Sequence, residues 1–202
     1  SSDSPLLNRA INAYNVGSVF KPCIAVAATE NKFQNFAYNC TGRCEIIDRF
    51  FKCHNISGHG YLNMNSAIAN SCNTYFYNLA FNVGAESIYK TVSSFKFGKE
   101  LEICKGLKTA SGNIPSKETL SNIAHLANLS IGQGELLLSP ISILTLYCSI
   151  ASNGTYYTPS VVEGTLRDGS FKVYDIGNPT RVMKETTAEI LRNHLASVVT
   201  EG

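Results

Sequence analysis

The chain has 202 residues, 44% of them hydrophobic, enough to bury a core in one domain and too many for a disordered tail. Lys and Arg number 17 against 15 Asp and Glu, so the net charge is only +2, which excludes a nucleic-acid binder with a broad basic face. The longest apolar run, Leu136 to Ala151, is broken by Pro140 and several serines and falls short of the ~18 residues a membrane span needs.

Residues 1–16 are polar and turn-rich and read as an entry loop. Ser1 to Pro5 lack the basic start and apolar block of a signal peptide. A chain that opens on Ser rather than Met is expected to be an excised piece, so a missing targeting segment does not locate its parent. From Ser18 to about Glu30, Phe20, Cys23, Ile24, Ala27 and Ala28 recur at helical spacing and predict a buried helix. Proline is tolerated only near a helix start, so Pro22 puts Ser18 at or beside the N-terminus.

Residues 31–64 have no sustained period and are expected to be an ordered loop region, or a segment tied down covalently or by metal. A short helix follows Asn65, Ser71-Cys72-Asn73 interrupts it, and Thr74 to Val83 resumes a helical pattern that Gly84 stops. Further helices are predicted over 86–95, 117–128 and 140–152, with a Gly- and Pro-punctuated loop at 98–116. In the 140–152 helix Ser139 is the cap, Pro140 the first residue and Gly154 the stop. Val161–Leu166 and Phe171–Tyr174 flank Arg167-Asp168-Gly169-Ser170, a β-hairpin signal. Thr186-x-x-Glu189 reads as a capping box for a last helix with Ile190, Leu191, His194, Leu195 and Val198 on one face.

A Ser and a Lys three apart on a helix share a face, as Ser18 and Lys21 do. A lysine whose pKa is lowered by burial can take the serine proton, and a helix N-terminus favours the negative charge that develops in acyl transfer. The pattern also occurs at Ser87/Lys90 and Ser93/Lys96, where mid-helix placement points to a solvated polar face. Ser71 and Asn73, two apart in a helix break, can both point into a cleft, the hydroxyl to relay a proton and the amide to hold a peptide group. Ser111-Gly112-Asn113 repeats that pattern and reads as an ordinary turn. No strand–Gly-x-Ser-x-Gly–helix elbow is present, and His125 and His194 sit among apolar neighbours at the core edge.

Asn8-Arg9-Ala10, Gly-Ser-Val-Phe-Lys-Pro, Ala-Ile-Ala-Asn-Ser-Cys-Asn-Thr-Tyr-Phe-Tyr and Ser130-Ile-Gly-Gln-Gly-Glu135 with Ser139-Pro140 follow one another in the chain. In that order they resemble the transpeptidase domain of class B penicillin-binding proteins, from about residue 8 to the end. The resemblance implies a D,D-transpeptidase acylated by peptidoglycan stem peptides or β-lactam antibiotics. Ser18 would be the nucleophile, Lys21 its general base, Ser71 the proton relay to the leaving group and Asn73 the holder of the substrate amide. The Gly132-Gln133-Gly134 turn would support the site. No cofactor is implied for catalysis. The implied partners are cell-wall synthesis proteins, with no nucleic acid. The implied location is the extracytoplasmic face of a bacterial membrane, reached through a segment outside this chain.

The family's third motif, Lys-Thr-Gly or Lys-Ser-Gly, is missing; Lys108-Thr109-Ala110 is the nearest string but precedes Ser-Ile-Gly-Gln-Gly instead of following it. The expected fold is therefore α+β, the largely helical portion of a β-lactamase/transpeptidase-like domain with a small β-hairpin and most of the central sheet missing. Residues 1–202 would form a single incomplete domain, inactive or weakly active by itself. A non-catalytic β-lactam-sensing or scaffold module of the same fold is the alternative, whereas a serine β-lactamase lacks a Glu placed as a deacylating base.

Cys40, Cys53, His59 and Cys72 are potential metal ligands, without the tight paired spacing of common zinc motifs. Some elongation-type class B proteins carry a structural zinc between the nucleophile helix and the second motif, and His59-Gly60 and the Cys within Ser-Cys-Asn resemble that arrangement. A Cys40–Cys53 or Cys44–Cys53 disulfide and free buried thiols remain open beside it. Cys23, Cys104 and Cys148 are expected in the core.

Overall fold

Helix α1, Lys21–Glu30, follows a single 3-10 turn over Gly17–Phe20, and Pro22 falls in its first turn. The computed structural model describes residues 6–202, so the start of the entry segment, 1–5, lies outside the described residues. Phe20 and Cys23 through Ala28 are completely buried, which is the signature of a helix covered on all sides and not of an amphipathic surface helix. Alanines on α1 leave room for close approach of its neighbours: α3 (Asn73–Val83), α4 (Ala85–Ser94) and α8 (Glu185–Thr200) all pack on it.

Helix α2, Met64–Ala69, is capped reciprocally: Ser66 N–H donates to Asn63 Oδ1 at 3.0 Å and Asn63 N–H to Ser66 Oγ at 3.1 Å. Gly84, at φ +85°, ends α3 and opens α4. The predicted helix over 117–128 is two, α5 (Lys117–Leu120) and α6 (Ile123–Ser130), because the Asn122 side chain accepts from Ala124 N–H and caps a new start. Helix α7, Pro140–Ala151, begins and ends as its Ser139 cap and Gly154 predict.

Among the described residues, ten short strands form two-stranded antiparallel pairs. The stretch expected to be loop over 31–64 contains two of them, β1 (Tyr38–Cys40) with β4 (Gly60–Leu62) and β2 (Arg43–Ile46) with β3 (Arg49–Lys52). These strands span only three or four residues each, too few for a period-2 pattern to rise above their neighbours. The 98–116 loop likewise holds a small pair, β5 (Glu102–Cys104) with β6 (Leu107–Lys108). Beyond α7, β7 (Thr155–Tyr156) pairs with β10 (Thr180–Arg181). The predicted hairpin is β8 (Gly164–Arg167) with β9 (Ser170–Val173), turning at Asp168 and Gly169, both with positive φ. The architecture is thus α+β, mainly helical, with small sheets only.

One expectation about a helix start is corrected. Helix α8 begins at Glu185 and its Thr186 makes no capping box; Glu30, at the end of α1, does that work. Glu30 Oε1 accepts from Lys184 N–H at 2.9 Å and from the Thr187 hydroxyl at 2.5 Å. A carboxylate from another helix thus takes up the Lys184 N–H and the Thr187 hydroxyl and suits the positive end of the α8 dipole.

Candidate active site

The turn that carries Ser18 is braced from two distant parts of the chain. Gly17, at φ +62°, donates its N–H to Gly132 O at 2.8 Å. A Cβ at Gly132 would stand 2.0 Å from Gly17 O, so only glycine allows the two backbones to meet. On the other side the Tyr147 hydroxyl of α7 donates to Val19 O at 2.8 Å. Ser18 itself is exposed, at the mouth of a cleft of about 410 Å³ that it shares with Lys21, Ser71, Tyr147, Leu195 and Val198.

Lys21 lies behind it with 2% of its surface exposed. Its ammonium donates to Ser71 Oγ at 2.9 Å, to Ser71 O at 2.5 Å and to Asn73 Oδ1 at 2.8 Å, and sits 5.6 Å from the Phe76 ring centroid. Burial lowers its pKa to about 8; the nearby thiols of Cys72 and Cys53 pull the other way. Ser71 holds φ at +50°, a left-handed conformation uncommon outside glycine, in the break between α2 and α3. That backbone turn aims both its carbonyl and its hydroxyl at Lys21. The four residues singled out from sequence thus converge, except that the ammonium bonds go to Ser71 and Asn73 and none to Ser18.

The other Ser/Lys pairs do not converge. Ser87 Oγ donates to Asn31 Oδ1 at 3.2 Å, and Lys96 lies past the end of α4 over the Tyr156 ring, 4.9 Å from its centroid. Asn113 exchanges backbone hydrogen bonds with Leu137 in an antiparallel bridge, so Ser111-Gly112-Asn113 is a bridged segment and not the ordinary turn expected, and it is no second site. Thr109 of the Lys108-Thr109-Ala110 string is buried against Leu101, to whose N–H its Oγ1 bonds at 3.0 Å.

Beside Ser71, the donor atoms of Cys40, Cys53, His59 and Cys72 all lie within 4.8 Å of one another. His59 Nδ1 is 3.5 Å from Cys40 Sγ and 3.6 Å from Cys53 Sγ, and Cys53 Sγ is 3.9 Å from Cys72 Sγ. Tetrahedral zinc, with Zn–S near 2.3 Å and Zn–N near 2.05 Å, separates its donors by about 3.5–3.8 Å. The donor set and its spacing therefore fit that ion. All seven cysteines are free, so neither Cys40–Cys53 nor Cys44–Cys53 is bonded; Cys44 packs with Ile46, Tyr77 and Ala127 in a separate apolar cluster. Burial raises the Cys72 thiol; at Cys40 burial is outweighed by hydrogen bonds from Thr74, Gly42 and His59, which bring it down to about 6. Cys23 is in the core as expected, whereas Cys104 is half-buried and Cys148 is exposed on the outer side of α7. Among residues the sequence did not single out, Thr74 is fully buried with its hydroxyl 3.4 Å from Cys72 Sγ.

Residues 1–202 match the family described as "Penicillin binding protein transpeptidase domain". The chain belongs to the penicillin-binding-protein transpeptidase family. Among curated members of that family it is 30% identical over 178 residues to the peptidoglycan D,D-transpeptidase MrdA of Haemophilus influenzae, a stretch that is 79% of this chain and 26% of the relative. The chain spans about a third or less of the length of the curated relatives it matches. Its fold overlays the D,D-transpeptidase domain of a peptidoglycan glycosyltransferase from Eggerthella lenta with a TM-score of 0.89 at 25% identity, covering 99% of this chain and 52% of that one. Penicillin-binding protein A of M. tuberculosis, solved as a ceftriaxone acyl-enzyme complex, shares the transpeptidase fold at a TM-score of 0.84 and 21% identity, over 98% of this chain and 45% of that one.

Proposed function

We propose that this chain carries the acylation site of a peptidoglycan D,D-transpeptidase, with Ser18 as nucleophile. The observation that carries this reading is the buried Lys21 ammonium, bonded at once to Ser71 and Asn73 and opening on the same cleft as Ser18. With a pKa lowered to about 8, Lys21 has a neutral fraction near neutral pH and can take the Ser18 proton as the hydroxyl attacks a carbonyl. The proton it gains can pass to Ser71 Oγ, 2.9 Å away, and on to the leaving group. Asn73, fixed by its Oδ1 on Lys21, has its amide nitrogen left to meet a substrate carbonyl. The acyl donor would be a stem peptide or a β-lactam, and an amine from a neighbouring stem peptide would resolve the acyl-enzyme.

The buried sulfur cluster supports a structural zinc held by Cys40, Cys53, His59 and Cys72. Bound zinc supplies no chemistry to acyl transfer here; it would keep the thiols ionised and fix the strands of 38–62 against the start of α3. Cell-wall synthesis proteins as partners, and a location outside the bacterial membrane, follow from the same reading of the whole protein. No helix among the described residues is long and apolar enough to cross a membrane.

Intact-mass spectrometry of the full-length protein after benzylpenicillin tests the proposal. One added penicillin per chain, mapped to Ser18 and abolished by Ser18→Ala, is the expected result. A full-length protein that stays unmodified, or is modified elsewhere, overturns it.

A further inference from the structure

Cys72 lies between the two residues that bond Lys21, and the acyl transfer proposed above uses neither it nor Cys53. Their sulfurs are 3.9 Å apart, so a closure of about 1.9 Å would bring them to disulfide length. Cys72 is fully buried and Cys53 nearly so, while the half-buried His59, 3.6 Å from Cys53 Sγ, forms the open edge of the cluster. An oxidant entering past His59 meets the sulfurs of Cys40 and Cys53, and Cys53 is the one with the Cys72 sulfur 3.9 Å behind it.

We propose that Cys53 and Cys72 are a thiol–disulfide modification site, closed by a hydroperoxide, that disables the neighbouring acylation site. The proposal rests on the roles given above to Ser18, Lys21, Ser71 and Asn73. The Cys53 thiolate attacks the outer oxygen of the hydroperoxide, the O–O bond breaks, and the alcohol leaves after taking a proton. Cys53 is then a sulfenic acid. The Cys72 thiolate attacks its sulfur, the S–S bond forms, and hydroxide departs and is protonated to water. Two thiolates give up two electrons, the peroxide bond accepts them, and two protons are consumed.

Two consequences follow from position. A cluster left with Cys40 and His59 alone no longer holds a divalent ion. Drawing Cys72 toward Cys53 also displaces the peptide groups on either side of it, and Ser71, at φ +50°, supplies two of the oxygens bound to Lys21. An ångström-scale displacement of a catalytic group costs about 100-fold in rate.

The test uses the full-length protein with Cys104→Ser and Cys148→Ser, which removes the two least buried thiols. It is treated with hydrogen peroxide and read in three ways: disulfide mapping by mass spectrometry, zinc release with a chromogenic chelator, and acylation of Ser18 by a fluorescent penicillin. The expected result is a Cys53–Cys72 link, loss of the bound zinc and acylation slowed about 100-fold, all reversed by a thiol reductant with added zinc. Cys53→Asp keeps an oxygen donor for the metal without a sulfur, and its acylation rate, whatever its starting value, is expected not to change with peroxide. A peroxide-treated protein without the Cys53–Cys72 link, or one that carries the link and is acylated at the untreated rate, overturns the proposal. If untreated protein is not acylated at Ser18, the transpeptidase reading and the claimed disabling fall together, and the link and zinc release still decide whether the site exists.

Discussion

A lysine with 2% of its surface exposed carries its charge at a cost, and three oxygens around the ammonium offset only part of it. Burial lowers the pKa of Lys21 to about 8, so its neutral, proton-accepting form grows as pH rises through that value and is complete above it. The rate of Ser18 acylation by a penicillin is therefore expected to climb about tenfold per pH unit below pH 8 and to level off above. A pH profile that is flat between 6 and 8 contradicts Lys21 as the base. Lys21→Arg keeps a positive charge but cannot release its proton, and is expected to lower acylation by about 100–10,000-fold, measured by stopped-flow with a fluorescent penicillin. That Lys21, Ser71 and Asn73 come together beside Ser18 was legible in the sequence because motif order carried them. Tyr147 was not legible as a brace of the turn that carries Ser18, since it reaches it from a distant part of the chain, whereas the Gly132 turn was expected to support the site.

Among the elements, the Gly132 turn and the cap of α8 each make a measurable claim. Gly132→Ala forces a Cβ to 2.0 Å from Gly17 O and also adopts a strained positive φ. It is expected to destabilise the fold by about 1–3 kcal/mol and to slow acylation, because the turn bearing Ser18 must move. Gly169→Ala has a similar φ in open space and is the control: strain without the clash, and no change in acylation. Glu30→Ala removes the cap of α8 and is expected to cost about 0.5–2 kcal/mol, a Tm loss of about 2–4 °C per kcal/mol by calorimetry. An unchanged Tm would show that water caps α8 as well as Glu30 does. Helices with strong local signals, α1 and α7, were legible, as was the hairpin at Asp168-Gly169. The start of α8 was misread because its cap comes from a residue 154 positions earlier. The pairs β1/β4 and β2/β3 were hidden because strands of three or four residues are too short for a pattern, even the alternation of β2, to stand out from their neighbours.

For the whole molecule, the consequential arrangement is that the cysteine cluster and the proposed acylation site share one stretch of backbone. The sequence named the four candidate ligands but left zinc, a disulfide and free thiols open, since ligand convergence is a property of the fold. The spacing of the four donors predicts one zinc per chain by elemental analysis of purified full-length protein. Removing it with a chelator is expected to lower the Tm and to slow acylation together, with both recovered when zinc is restored. A protein that binds no zinc and is indifferent to the chelator would leave the cluster as packed thiols.

Glu30 ties the C-terminal end of α1 to the first turn of α8, while the last turns of α8 bring Leu195 and Val198 to the cleft at the opposite end of α1, beside Ser18. The far end of α8 is held as well, since Ser197 Oγ donates to Asn65 Oδ1 at 2.8 Å and His194 Nδ1 lies 3.0 Å from the same atom, so α8 is a wall pinned near both ends that cannot slide along α1 without losing both anchors. Room for bulky acyl groups would come from the last residues, 198–200, beyond the Asn65 anchor, and not from translation of the whole helix. Deuterium uptake would accordingly rise at the tip of α8 and stay low at 185–188 when large side-chain penicillins replace small ones.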